Sequence, residues 1–75
     1  MKRRVSPSDE KEIRRTYPID DRVAGWFFRV DEVSAGVYVA EGVDLYGRSV
    51  SRTGYSDPER LLDECVADAS SFLVP

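Results

Sequence analysis

The last third of the chain carries its clearest hydrophobic pattern. Residues 54–59 have the composition of a helix start, in which Asp57 is a suitable cap and Pro58 fits the first helical position. From there to about Phe72, apolar side chains recur every three or four residues and form one stripe along a single helix face. The stripe consists of Leu61, Leu62, Cys65, Val66, Ala69, Phe72 and Leu73. A stripe this wide predicts an amphipathic helix that packs on a second apolar surface.

Three short β-prone runs precede this helix and predict that second surface. The first strand covers residues 26–33, the second 37–43 and the third 48–53, and side chains alternate between the two faces of each. Tight turns are expected at 34–36 and 44–47, where small residues, aspartate and glycine are concentrated. The pattern predicts an α+β fold: a three-stranded antiparallel β-meander with one C-terminal amphipathic helix packed on one face (βββα).

The register of the first hairpin has two solutions in the sequence. A three-residue loop places Val30 opposite Ala40, whereas a two-residue loop places Val30 opposite Val39. In both registers one face of the first strand points at the helix and supplies the core. The expected core contacts join Leu62, Val66 and either Ala69 or Cys65 of the helix to Trp26, Phe28 and Val30 of the strand.

The opposite face of the sheet has no C-terminal helix to cover it. Phe27 lies on that face, and with either Tyr38 or Val39 it makes an apolar patch. Exposed apolar patches mark association sites, so we expect either the N-terminal arm or a second chain to cover this patch. We therefore expect a weak homodimer that forms through the sheet.

Residues 1–22 are predicted to form a partly ordered arm with a short helix. Ser6-Pro7 is a helix start, with Ser6 as the cap, and Tyr17-Pro18 is a helix end because the residue before proline favours extended geometry. The arm is expected to dock through Ile13 and Tyr17. The rest of the chain, residues 23–75, is predicted to be a single βββα domain.

Size and composition limit how this fold can be stabilised. A chain of 75 residues makes one small domain, which buries only roughly 60% of its unfolded surface. A single cysteine, Cys65, cannot close an intrachain disulfide, and a chain without histidine lacks the common zinc ligand sets. We expect Cys65 to be a core residue of a reduced, cytoplasmic protein that uses no metal and no cofactor.

The net charge of -3 is distributed unevenly along the chain. Residues 1–22 carry a net charge of +2 and residues 23–75 carry -5. An acidic domain is a poor general binder of phosphate backbones, whose affinity comes from Lys and Arg. On the C-terminal helix the acidic side chains share a face that we interpret as solvated surface, with a basic partner as the functional alternative. These side chains are Glu59, Asp63, Glu64 and Asp68.

Six residues are candidates for partner binding: Phe27, Arg29, Tyr46, Arg48, Arg52 and Tyr55. Four of them surround the third strand and combine arginine with tyrosine, a mixture used both in protein hot spots and for stacking on bases. The structural alternative is that Arg48 and Arg52 protect an edge strand from unwanted pairing. Serines are plentiful, but no base is placed to activate one, so we expect no catalytic site and no enzymatic activity.

The order of motifs resembles a known family. Residues 36–40 (Gly-Val-Tyr-Val-Ala), the Asp-Leu-Tyr-Gly turn at 44–47, a polar strand, Gly54-x-Ser56 and an amphipathic helix are similar to the HicB-like antitoxin domain over about residues 28–72. The resemblance implies the same sheet-and-helix fold and a role in binding another protein. The function expected from the sequence is therefore a small non-catalytic protein-interaction module, antitoxin-like or self-associating. The alternative is a nucleic-acid-binding domain that uses the basic N-terminal arm and the strand arginines.

Overall fold

The computed structural model describes residues 7–72 and contains two helices and three strands in that range. In chain order they are α1 (Pro7–Thr16), β1 (Trp26–Ser34), β2 (Val37–Asp44), β3 (Ser49–Tyr55) and α2 (Pro58–Ser71). The strands form one antiparallel sheet in the order β1-β2-β3, and α2 packs mainly on β2 and β3. The predicted α+β meander with a C-terminal helix is confirmed. The predicted cap Ser6 lies outside the described residues.

The hairpin between β1 and β2 has the register of the three-residue loop. Val30 lies opposite Ala40, and a bulge between Glu32 and Ser34 adjusts the pairing next to the turn. Gly36 turns the chain with a φ of 73°, in the left-handed region where glycine is unstrained. The Glu32 carboxylate accepts a hydrogen bond from the Gly36 amide at 2.9 Å, which holds the turn against the end of β1.

The start of α2 is the one that the sequence predicts. Asp57 is the N-cap, and its carboxylate accepts a hydrogen bond from the amide of Arg60 at 3.1 Å, while Pro58 is the first helical residue. Just before the cap, Ser56 adopts a positive φ of 65°, and its amide donates to the carbonyl of Gly36 at 3.1 Å. These contacts direct α2 back across the sheet.

The line of α2 that lies deepest in the core is shifted by one residue from the prediction. Leu61, Cys65 and Ala69 are buried, whereas Leu62 and Val66, which were expected to face the sheet, lie half-buried at the margin of the core. Successive helical residues point about 100° apart, so only one of the two neighbouring leucines can face the sheet directly.

Two glycines of the sheet decide which side chains fill the core. Gly54 in β3 has no side chain, and Leu61 occupies that space: a Cβ on Gly54 would lie 2.9 Å from Leu61 Cδ2. In the same way the Phe28 ring covers Gly42 in β2, where a Cβ would lie 2.5 Å from Phe28 Cε1. Leu61 is therefore the deep leucine because glycine stands opposite it.

The other face of β1 is covered by the arm, and the predicted exposed patch at Phe27 is wrong. Phe27 is only 3% exposed, and the guanidinium of Arg14 in α1 lies 4.8 Å from its ring centroid. After α1, Ile19 pairs with Phe28 in the manner of a further strand: each amide donates to the other residue's carbonyl, at 3.0 and 2.8 Å. The arm therefore contributes both to the sheet and to the core.

Candidate partner-binding surface

The structure separates the six predicted site residues into two groups. Phe27 and Arg29 lie on the face of β1 that the arm covers, and Phe27 is buried there. The others border β3: Tyr46 and Arg48 in the turn before it, Arg52 within it and Tyr55 at its end. They do not form one cluster, and each arginine contacts a different carboxylate.

Arg29 is held on the sheet surface by a neighbouring strand. Its Nη2 and Nε donate to Glu41 Oε1 at 2.7 and 3.1 Å, and its guanidinium lies 5.0 Å from the ring centroid of Tyr17. The hydrogen bond to Glu41 raises the pKa of Arg29 above its usual value. Arg29 thus fastens the arm to the sheet, and its charge is already paired.

Arg48 pairs with a buried carboxylate in the turn. Asp44 is only 3% exposed, and its Oδ1 accepts hydrogen bonds from the amides of Tyr46 and Arg48 at 2.9 and 2.8 Å, while Oδ2 accepts from Arg48 Nε. The Arg48 guanidinium also lies 5.3 Å from the ring centroid of Phe72 and 5.7 Å from that of Trp26. Arg48 therefore stabilises the turn and the end of α2.

The Asp44 carboxylate should make stability depend on pH. Burial alone raises its pKa, but the hydrogen bonds from the Arg48 side chain and from the amides of Tyr46 and Arg48 outweigh burial and lower it. Because the pKa is lower in the folded state, the carboxylate stabilises the fold above about pH 4 and this contribution is lost as the pH falls through the folded pKa.

We expect Asp44→Asn to reduce the free energy of unfolding at pH 7 by about 1.5–3 kcal/mol, the range for hydrogen bonds to a charged group. The loss of stability between pH 5 and pH 2 should then be smaller in the variant than in the parent. Asp20→Asn is the control, because that carboxylate is paired with Arg14 at an exposed site. Denaturant unfolding at several pH values measures both effects, and an equal acid sensitivity of Asp44→Asn and parent would contradict this role.

Arg52 points towards α2. Its Nε and Nη2 donate to the two oxygens of the Asp68 carboxylate at 2.7 and 2.9 Å and form a bidentate ion pair. The interpretation of Arg52 as an edge guard is therefore wrong, because the side chain folds back on the helix side of the sheet. The acidic face of α2 is also less acidic than its sequence suggests, since Asp63 pairs with Arg22 and Asp68 with Arg52.

The hydrogen-bonding pattern between β2 and β3 determines which backbone groups of β3 point away from the rest of the sheet. The Asp44 amide donates to the Arg48 carbonyl at 3.0 Å, so Asp44 and Arg48 begin the ladder between β2 and β3. Bonded pairs in an antiparallel ladder recur at every second residue. The residues of β3 whose amides and carbonyls point away from β2 are therefore Ser49, Ser51, Thr53 and Tyr55, which we call the β3 edge.

The opposite edge of the sheet supports this pattern and is partly closed. The same alternation makes the backbone amides and carbonyls of Trp26 and Phe28 point away from β2. Phe28 bonds Ile19 in both directions, and the Trp26 amide donates to the Val23 carbonyl at 3.0 Å. On the β3 edge, by contrast, the outward groups have no hydrogen-bond partner within residues 7–72.

Small polar side chains line the sheet face beside the β3 edge. Ser49, Ser51 and Thr53 lie opposite Val43, Glu41 and Val39 of β2, on the face that α2 does not cover. The β3 residues are exposed and the two valines half-buried. An exposed tyrosine stands at each end of β3: Tyr46 is 48% exposed and Tyr55 79% exposed. The serines and the threonine are not among the six candidates from the sequence, although their alternation along a polar strand is visible there.

Comparison with protein-family models, with curated proteins and with solved structures finds no match to this chain. The resemblance to the HicB-like antitoxin domain thus stays a hypothesis from sequence motifs. Within residues 7–72 no group of three or more Cys, Asp and Glu side chains is placed to hold a metal ion. Neither helix of the described range has the length and apolar character that crossing a bilayer requires.

Proposed function

We propose that the protein is a small binding module that takes up an extended polypeptide segment at the β3 edge. The observation that carries the proposal is the row of outward amides and carbonyls at Ser49, Ser51, Thr53 and Tyr55. An exposed row of this kind is a template for a further strand, and β-strand addition is a common mode of peptide recognition. The added strand would gain main-chain hydrogen bonds without any rearrangement of the sheet.

The absence of protection on β3 supports this proposal. Sheet edges that do not bind partners are usually blocked by proline, by charged side chains over the edge, or by a bulge. Ser49–Tyr55 contains no proline, its pairing with β2 is regular throughout, and its one charged side chain, Arg52, is bound to Asp68. The β1 edge differs, because it carries a bulge after Glu32 and the bridge to Ile19.

The surface beside the β3 edge supports a protein partner rather than a phosphate backbone. An added strand would place alternate side chains next to Ser49, Ser51 and Thr53, where small hydroxyls leave room for β-branched residues. Binding to nucleic acid, the alternative from the sequence, would need free cations. The three arginines of this region are all paired with carboxylates, namely Arg29 with Glu41, Arg48 with Asp44 and Arg52 with Asp68.

A selection of random displayed peptides against the intact protein tests the proposal. Selected peptides should shift the backbone amide resonances of Ser49, Ser51 and Thr53 and leave those of α1 unchanged. Ser51→Pro removes an amide that faces solvent, as proline can on an edge strand. Ser51→Ala is the matched control, because it keeps the amide and loses only the hydroxyl.

Ser51→Pro should bind the selected peptides about tenfold more weakly than Ser51→Ala, since one hydrogen bond contributes up to about 1.5 kcal/mol. Thermal unfolding of both variants establishes that they are folded. Equal binding by the two variants, or peptide shifts confined to other parts of the chain, would contradict the proposal. Salt-sensitive, submicromolar binding of duplex DNA or RNA that Arg52→Ala abolishes would favour the nucleic-acid alternative instead.

A further inference from the structure

We infer that the segment bound at the β3 edge is β3 of a second copy of this chain. Two copies would join antiparallel about a twofold axis at Ser51 and form one six-stranded sheet. This inference rests on the proposed function and names its partner. Three features of the surface support it: its symmetry, the positions of its exposed aromatic side chains, and its local charge.

The symmetry of an antiparallel self-pairing allows few registers along so short a strand. The axis can pass through residue 51, 52 or 53 while keeping at least five residues of each strand paired. An axis at Arg52 would place two arginines directly opposite each other, and like charges in that position are destabilising. The axis therefore falls on Ser51 or Thr53, both of which point outward and can exchange main-chain hydrogen bonds with their copies.

The exposed aromatic residues distinguish these two registers. With the axis at Ser51, Ser49 lies opposite Thr53 of the other copy, and Tyr55 lies opposite Gly47 in the turn that also carries Tyr46. With the axis at Thr53, Tyr55 meets Ser51 and the partner's Tyr46 stays solvated. Only the Ser51 register brings the exposed tyrosines from opposite ends of β3 together.

The charges near the β3 edge do not oppose self-pairing, although the chain carries -3 overall. The helix side of this edge holds Arg52 with Asp68 and Arg60 with Glu64, whose closest charged atoms are 2.7 and 3.8 Å apart. Two positive and two negative groups balance on each copy. The two helix sides therefore bring no net charge against each other.

Disulfide trapping tests the register directly. In the proposed pairing, Ser51 and its copy form a hydrogen-bonded pair with Cα atoms about 5.5 Å apart, within the range that a disulfide spans. Ser51→Cys should therefore crosslink to itself under mild oxidation. Ser49→Cys is equally exposed but lies about 13 Å along the strand from its own copy, so it should stay uncrosslinked alone and crosslink when mixed with Thr53→Cys.

The native cysteine will not interfere with this experiment. Cys65 is buried, its Sγ donates to the Ala40 carbonyl at 3.2 Å, and burial raises the pKa of its thiol to about 11. The unsubstituted protein is the control for its reactivity. Sedimentation of that same protein should show a monomer–dimer equilibrium at micromolar to millimolar concentrations, and Ser51→Pro should shift it to monomer.

Four outcomes would overturn the inference or its register. Self-crosslinking of Ser49→Cys to the same extent as Ser51→Cys would mean nonspecific collision, and self-crosslinking of Thr53→Cys in place of Ser51→Cys would assign the other register. A protein that stays monomeric at millimolar concentration yet binds selected peptides at the β3 edge would refute self-pairing and keep the proposed function. A monomer that binds no peptide at this edge would contradict both.

Discussion

Phe28→Ala should lower the free energy of unfolding by about 3–5 kcal/mol, the range for removing a buried phenylalanine. The Phe28 side chain is fully buried, it stacks near Trp26 with ring centroids 6.2 Å apart, and it covers Gly42. Small domains have little more stability than this to lose, so the variant is expected to be largely unfolded at 37 °C. Val33→Ala is the control, because its side chain is exposed and lies outside the β3 edge.

A double-mutant cycle makes this prediction specific to the contact with Gly42. Gly42→Ala alone forces a methyl group against the Phe28 ring and should destabilise the protein by about 1–3 kcal/mol, as overpacking does. In a Phe28→Leu background, which leaves room above the strand, the same substitution should be less harmful. Denaturant unfolding of the four proteins gives the coupling energy. Additive effects would show that the ring does not press on Gly42.

Leu61→Ala should destabilise the protein by about 2–5 kcal/mol, whereas Leu62→Ala should have a clearly smaller effect. The two substitutions remove the same atoms from neighbouring residues of α2, so they differ only in where the side chain lies. Leu61 is 7% exposed and fills the space above Gly54, while Leu62 lies half-buried at the margin of the core. Denaturant unfolding at one temperature compares them, and a larger loss for Leu62→Ala would mean that α2 is rotated.

Local sequence signals were enough to predict the order of the elements and the start of α2. The cap at Asp57, the proline after it and the three- and four-residue spacing of apolar side chains all depend on neighbours in the sequence. The hairpin register was one of two solutions, and the chain uses the one that places Val30 opposite Ala40. Features that depend on a few adjacent residues are the ones that a single sequence specifies best.

The errors arose where distant residues decide the outcome. The choice between Leu61 and Leu62 depends on Gly54, because a glycine in β3 leaves space for one of them. The burial of Phe27 depends on the pairing of Ile19 with Phe28, which no pattern within the arm predicts. The direction of Arg52 depends on Asp68, a helix away. Each of these features depends on how two elements are placed relative to each other. Hydrophobic periodicity carries no information about that placement.

The bridge between Ile19 and Phe28 has a consequence for how far any assembly can grow. Proteins with two free sheet edges can stack end to end into open fibres, since each added copy presents a fresh edge. Here β1 is closed along its first half by Ile19 and Val23, and its second half carries a bulge. When the added strand is β3 of a second copy, the joined sheet ends in a β1 edge on each side, and both of these edges are obstructed. Growth of the sheet would stop after one addition, so an exposed β3 edge need not lead to open fibres.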